Sequence, residues 1–146
     1  MKGNFTRVAA ELNKFEMTLT QFYKGSGSAK PIFKKYGRIF YDQTNMGIII
    51  ANLQGNRLWA GASATKALIT IVGSKAFLGA STSMCIFNIN KNIVFDGAGS
   101  DNSLYTVIGN RLYEGASTAK VLMNWTGHPL TNNYLLSAIM IMRTRY

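Results

Sequence analysis

The chain has 146 residues, of which 47% are apolar and 12% aromatic, a composition that buries a core and excludes a disordered chain. Sixteen Lys and Arg stand against six Asp and Glu, a formal charge of +10 that favours nucleic acid, an anionic membrane surface or an acidic protein face as partner. The single Cys85 excludes an intramolecular disulfide framework, and no apolar run reaches the ~18 residues that span a bilayer.

Residues 1–18 read two ways. Phe5, Val8, Ala9, Leu12 and Phe15 follow helical spacing, whereas Phe15, Met17 and Leu19 alternate as in a strand. The segment is expected to be a cap leading into the first strand, or a degenerate repeat. Its charges interrupt it before a long apolar region forms, unlike a secretory signal, so a cytoplasmic location is the expectation.

From Leu19 to Thr126 the chain repeats itself six times with a period of 18 residues. GNRLWAGASATK at 55–66 and GNRLYEGASTAK at 109–120 are the most alike copies. The fifth place is aromatic in every unit: Tyr23, Tyr41, Trp59, Phe77, Phe95 and Tyr113. The fourteenth is Ile or Leu: Ile32, Ile50, Leu68, Ile86, Leu104 and Leu122. Glycine holds the seventh place except at Gln43.

Each unit predicts strand, turn, strand, the second segment being rich in the β-branched and aromatic residues that suit a pleated surface. Gly55-Asn56, Gly73-Ser74 and Gly109-Asn110, between units, are dipeptides of a two-residue type II′ hairpin. Tight turns at both ends predict an all-β fold of β-hairpin repeats, an antiparallel up-and-down meander of about twelve strands. The alternative is a β-solenoid with one 18-residue repeat per coil, which does not need the turn dipeptides. Consecutive apolar residues such as Ile48-Ile49-Ile50 and Met84-Cys85-Ile86-Phe87 put apolar surface on both faces of the second strand. The sheet is therefore expected to close or curl into a barrel around something apolar.

The chain's last segment supplies the filling. After Gly127-His128-Pro129-Leu130, Thr131 is placed as an N-cap and the run from Tyr134 to Met142 predicts a helix apolar nearly all round, packed on or inside the barrel. Arg143 and Arg145 at its end complement the helix dipole. Residues 1–146 thus read as one domain: the cap at 1–18, six repeats at 19–126, and the helical segment at 127–146.

Tyr23-Lys24-Gly25-Ser26 and Tyr113-Glu114-Gly115-Ala116-Ser117-Thr118 carry a recurring Tyr-x-Gly-x-Ser-Thr pattern. In this the chain resembles small bacterial and prophage-encoded proteins built from such hairpins and ending in a short apolar segment. The resemblance implies a fold and no activity. A barrel around an apolar C-terminal helix is also similar in architecture to the tubby-like fold, and architecture alone carries no function.

The groups that carry chemistry are few. Asp42, Asp96 and Glu114 share the sixth place and are expected to be solvated strand-end residues. His128 falls in a turn, and with Cys85 it would make an incomplete metal site. Cys85 sits mid-strand as a small apolar residue, and the Gly-Ala-Ser-Thr turns lack the lysine and the strand-to-helix context of a phosphate-binding loop. The chain therefore reads as no enzyme, with no cofactor and no metal.

The basic residues are the candidate binding site. Lys30, Lys34, Lys35 and Arg38 crowd together with Phe33, Tyr36, Phe40 and Tyr41, a mixture that neutralises phosphates and stacks on bases. Arg57, Lys75 and Arg111 share the third place, while Lys30, Lys66 and Lys120 share the twelfth, so regular units would align them as a stripe. The expected function is non-catalytic docking on a negatively charged macromolecule: nucleic acid, a nucleoprotein or an acidic protein. A prophage-encoded inhibitor of a host or defence complex would have this character. The alternatives are a repeat protein that assembles into a homo-oligomer or filament, and a binder of anionic membrane surfaces.

Overall fold

Six hairpins close on one another. In the computed structural model, which describes residues 18–43 and 47–146, the repeats give twelve strands in chain order. The first six are β1 (Thr20–Lys24), β2 (Pro31–Tyr36), β3 (Ile39–Asp42), β4 (Ile49–Gln54), β5 (Arg57–Ala60) and β6 (Ala67–Val72). Then follow β7 (Lys75–Leu78), β8 (Cys85–Asn90), β9 (Ile93–Asp96), β10 (Ser103–Ile108), β11 (Arg111–Glu114) and β12 (Val121–Trp125). Each pairs antiparallel with its neighbours, and β1 pairs with β12, Phe22 opposite Trp125, to close the barrel. The meander is the fold and the solenoid is not. The reading of residues 1–17 as a cap lies outside the described residues.

One mouth of the barrel is made of two-residue turns. Gly37, Gly55, Gly73 and Gly109 have φ between 57° and 63° while the residue after each does not turn positive, the type II′ signature. Lys91 and Asn92 both adopt positive φ, at 49° and 69°, so this junction is a type I′ turn built without glycine. The other mouth carries six-residue connections such as those at 79–84 and 115–120, which open on Gly-Ala-Ser-Thr.

A β-bulge in every unit explains the run of apolar residues. In the first and second units Phe22 pairs with Phe33 but Tyr23 with Pro31, and Phe40 with Ala51 but Tyr41 with Ile49, so Ile32 and Ile50 are left over. The same shift falls at Leu68, Ile86, Leu104 and Leu122. The extra residue breaks the period of two, so the fourteenth place packs inward beside the fifteenth. Ile50 is buried and Ile32, Leu68, Ile86 and Leu104 lie half-buried against the core.

The fourth place is the inner anchor of the first strand. Phe22, Phe40, Leu58, Ala76, Val94 and Leu112 are all fully buried. The regular fifth-place aromatics lie on the outer wall instead, most of them half-buried. At the seam between last and first units, Phe22 stacks on Phe33 at 4.3 Å and meets Trp125 at 6.1 Å, an aromatic cluster that joins the first strand to the last.

The outward sixteenth place locks each hairpin to the next. Asn52 Nδ2 donates to the carbonyls of Gly61 and Ser63 at 2.8 and 3.0 Å, and Asn88 Nδ2 to those of Gly97 and Gly99 at 2.8 and 2.9 Å. Thr70 and Thr106 donate to Gly79 and Gly115. Asn124 carries the clamp across the seam to Gly25 and Gly27, at 2.6 and 2.9 Å. In the first unit the place is Lys34, and the turn it faces is the one with Gln43 in place of glycine.

The barrel is filled by α1 (Asn132–Arg145), which enters at the tight-turn mouth. Seven consecutive residues, Leu135 to Ile141, are buried, so every side of two turns touches the wall. Ser137, fully buried, donates to Asn133 O at 2.7 Å. Thr131 stands at the N-cap position but its side chain makes no capping bond. At the far mouth Tyr146 stacks on Phe33 at 5.7 Å and the Arg143 guanidinium lies 5.7 Å from the Phe87 ring.

Two outcomes test this account. Leu136→Ala should cost about 2–5 kcal/mol in urea unfolding, because the enclosed lumen cannot collapse onto the space. Asn124→Ala should cost about 1–3 kcal/mol by removing the donor to two turn carbonyls at the seam, whereas Asn124→Thr, the residue of alternate units, should cost less.

Candidate macromolecule-binding surface

In a closed barrel, units recur by rotation, so each repeat place becomes a ring around the wall and not a row along it. The expected stripe is thereby corrected. Arg57 and Lys75 are neighbours in adjacent hairpins, but Ile93 separates Lys75 from Arg111 in the same ring. In the twelfth-place ring Lys120 and Lys30 adjoin across the seam, while Lys66 stands between Ile48 and Met84.

The cluster from Lys30 to Arg38 is also dispersed, because strand alternation sends neighbours to opposite faces. Lys30 is exposed in a long turn, Lys34 lies on the outer wall opposite Tyr41, and Arg38 is exposed in a tight turn. Lys35 points into the barrel, 4% exposed, with its Nζ 4.2 Å from the Tyr134 ring. It is withdrawn from any surface that a macromolecule could touch. Of the aromatics grouped with these residues, Phe33 and Phe40 are core, and Tyr36 and Tyr41 belong to the outer surface.

What the structure does bring together is a set of pairs on the outer wall. Third and fifth places are two apart on one strand and share a face, so Arg57 with Trp59, Lys75 with Phe77, and Arg111 with Tyr113 stand about 7 Å apart along the strand. Arg57 is braced, its Nε donating to Thr70 Oγ1 at 3.3 Å and its Nη2 to Ala80 O at 3.0 Å, which leaves three guanidinium donors. Lys75 and Arg111 are exposed. Lys66 and Lys120 sit on the long-turn rim, Lys120 pairing with Glu114 at 3.8 Å.

Charge is uneven around the ring. From Gln43 to Phe95 the sequence holds no Asp or Glu, so the third and fourth hairpins present Arg57, Lys66 and Lys75 with no carboxylate among them. Asp96, Asp101 and Glu114 belong to the fifth and sixth hairpins and are exposed, and Asp42 is half-buried in the second. Among the described residues no group of three His, Cys, Asp or Glu is placed to hold a metal ion, and no helix is long and apolar enough to cross a membrane.

Cys85 opens β8, half-buried. Burial pushes its thiol up from the ordinary range, against the charge of Lys75 and a backbone hydrogen bond at Phe87, which pull it down.

Six β-hairpins closed around a central helix, with cations and aromatics side by side on the outer wall, define a radial β-hairpin repeat protein. The family model described as 6-fold beta flower protein matches residues 22–139, from β1 into α1, and the chain belongs to that family. No curated protein and no solved structure matches the chain.

The Cys85 thiol should react with iodoacetamide at pH 8 several-fold more slowly in the native chain than in urea, since its raised pKa lowers the thiolate fraction. Equal rates measured by mass shift would contradict that environment.

Proposed function

We propose that the protein is a non-catalytic basic binding module that docks on a negatively charged macromolecule, nucleic acid before an acidic protein. The observation that carries this reading is the wall of the third and fourth hairpins, where Arg57 beside Trp59 and Lys75 beside Phe77 stand on a surface without carboxylates. Cations supply attraction to phosphates, and half-buried aromatics present rings on which an unpaired base can stack. Lys66 on the rim and Lys34 on the first hairpin extend the positive field around the barrel. The described sheet has no free edge, since β1 and β12 pair, so docking by side chains takes precedence over assembly by strand addition.

The test is fluorescence anisotropy with a labelled single-stranded oligonucleotide across a salt series. Binding should weaken linearly in log–log form, and Arg57→Gln with Lys75→Gln should flatten the slope by about 1.4, two phosphate contacts' worth. The double variant should stay folded but melt several degrees lower, because Arg57 gives up its bonds to Thr70 and Ala80 while Lys75 is exposed. A salt-independent signal, or an unchanged slope in the variant, would overturn the assignment. An acidic polypeptide that binds where the oligonucleotide does not would move the partner to the protein class.

A further inference from the structure

The sixth and twelfth places frame the long-turn mouth. They stand opposite one another at the two ends of each turn, Leu78 N donating to Met84 O at 2.9 Å and Glu114 N to Lys120 O at 2.9 Å. Alternation from the buried fourth place turns them toward the mouth and away from the outer wall. Five hairpins carry at least one charge in this pair, and in the sixth both members are charged and bridge at 3.8 Å. The fourth hairpin alone carries none: its pair is Leu78 and Met84, 48% and 57% exposed, and the sequence holds no charged residue from 76 to 90. Two large apolar side chains left in water where the repeat elsewhere places charge are the mark of a contact surface.

Because places recur by rotation, these pairs ring the mouth at one level, and a flat surface laid against it meets several at once. Ile48, exposed like Met84, stands two hairpins from it with Lys66 between, so apolar and cationic side chains alternate along this arc. The end of α1 brings Arg143 and Arg145, both exposed, to the same mouth. Asp96, Asp101 and Glu114 belong to the fifth and sixth hairpins, and Asp42, half-buried, is the one carboxylate at the arc's other end among the described residues. Apolar side chains on separate turns with a cation between them do not form the continuous stripe that seats a partner helix. They fit a plane that is anionic at its surface and apolar just beneath.

We propose that the arc of the mouth formed by the second, third and fourth hairpins docks on an anionic lipid surface. Leu78, Met84 and Ile48 enter the boundary between headgroups and acyl chains, while Lys66, Arg143 and Arg145 lie at the level of the phosphates. A tilt toward the third hairpin lifts the fifth and sixth, with their carboxylates, from the charged layer. This surface is the rim and not the wall that carries Arg57 and Lys75, so it stands whether or not the wall binds nucleic acid.

The full chain is floated with vesicles of phosphatidylcholine alone and of phosphatidylcholine with about 30% phosphatidylserine. The anionic vesicles should bind it at least about tenfold more tightly, and added salt should narrow the difference. Leu78→Ser with Met84→Ser should weaken that binding at least about tenfold, with a melting temperature within a few degrees of the parent because both side chains are already exposed. General attraction of a +10 chain to anionic lipid would not respond to this uncharged change. Lys66→Gln should weaken binding about fivefold, the effect of one cation near the surface. The proposal is overturned by equal binding to the two vesicles or by binding that survives the serine pair. It is overturned equally by no binding at about 1 mM lipid, ten times what a marginal anchor requires. A dimer that the serine pair dissolves, seen by light scattering while vesicles stay unbound, would give the tip to a second copy of the chain and end the membrane assignment.

Discussion

A barrel of twelve strands is too wide for its own side chains to fill. Diameter grows with strand number, and a barrel of about eight strands is the size whose interior side chains close it. Here the space goes to a helix, and the remaining features follow from that choice. α1 has no polar face because no side of it meets water between Leu135 and Ile141. Burying a Leu or Ile of this kind contributes roughly 1.5–3 kcal/mol each, so Leu135, Leu136, Ile139 and Ile141 are a large share of a small domain's margin. Because the filling comes from one helix, the wall must present a continuous inner lining from six short hairpins. The fourth, fourteenth, fifteenth and seventeenth places are that lining.

Much of this was legible from the period. Turn dipeptides set the hairpin count, the apolar segment after Leu130 announced the plug, and the short connections required antiparallel neighbours. The inner face was not legible. Strict alternation would put Ile50 and Ala51 on opposite faces, yet the bulge turns both inward, and nothing in a single unit's composition declares a register shift. The most regular signal, the fifth-place aromatic, lies on the outside, while the true core place varies from Ala76 to Phe40. Volume is shared around the ring, so inner positions differ while the helix stays in contact. The sixteenth-place clamp was hidden too: Asn and Thr look like ordinary solvated strand residues until the turn carbonyls of the next hairpin are placed beside them.

The candidate site shows the same limit. Lys34, Lys35 and Arg38 are close in sequence and fall in three environments: the outer wall, the lumen and a turn. Charge density along a strand therefore overstates charge density on a surface. Closure changes the rest, because a place that recurs by rotation separates its residues by two strands, about 10 Å, in place of stacking them. Only when adjacent hairpins carry the same charge does a patch form, as with Arg57 and Lys75. The absence of acids from Gln43 to Phe95 was readable from the sequence. That it makes one side of a ring was not.

A six-fold scaffold gives six equivalent positions to every side chain, and recognition needs them to differ. Outward third and twelfth places can vary at little cost to the core, so they distinguish one side of the wall from another. Inward places cannot vary so freely. The lumen of the first unit nevertheless keeps Lys35, next to the point where the rotational symmetry is broken by the chain itself. After β12 the backbone must cross one sector of the tight-turn mouth to enter the barrel, and it crosses beside the first three hairpins, leaving space under residues 127–131. The crossing that positions the filling helix also creates a recess whose shape the repeat does not dictate. That lysine lies against the Tyr134 ring of the entering helix, so the residue that departs from the apolar lining is packed by the segment that departs from the rotation. Symmetry breaking by the plug and charge placement by the sequence therefore act at the same mouth.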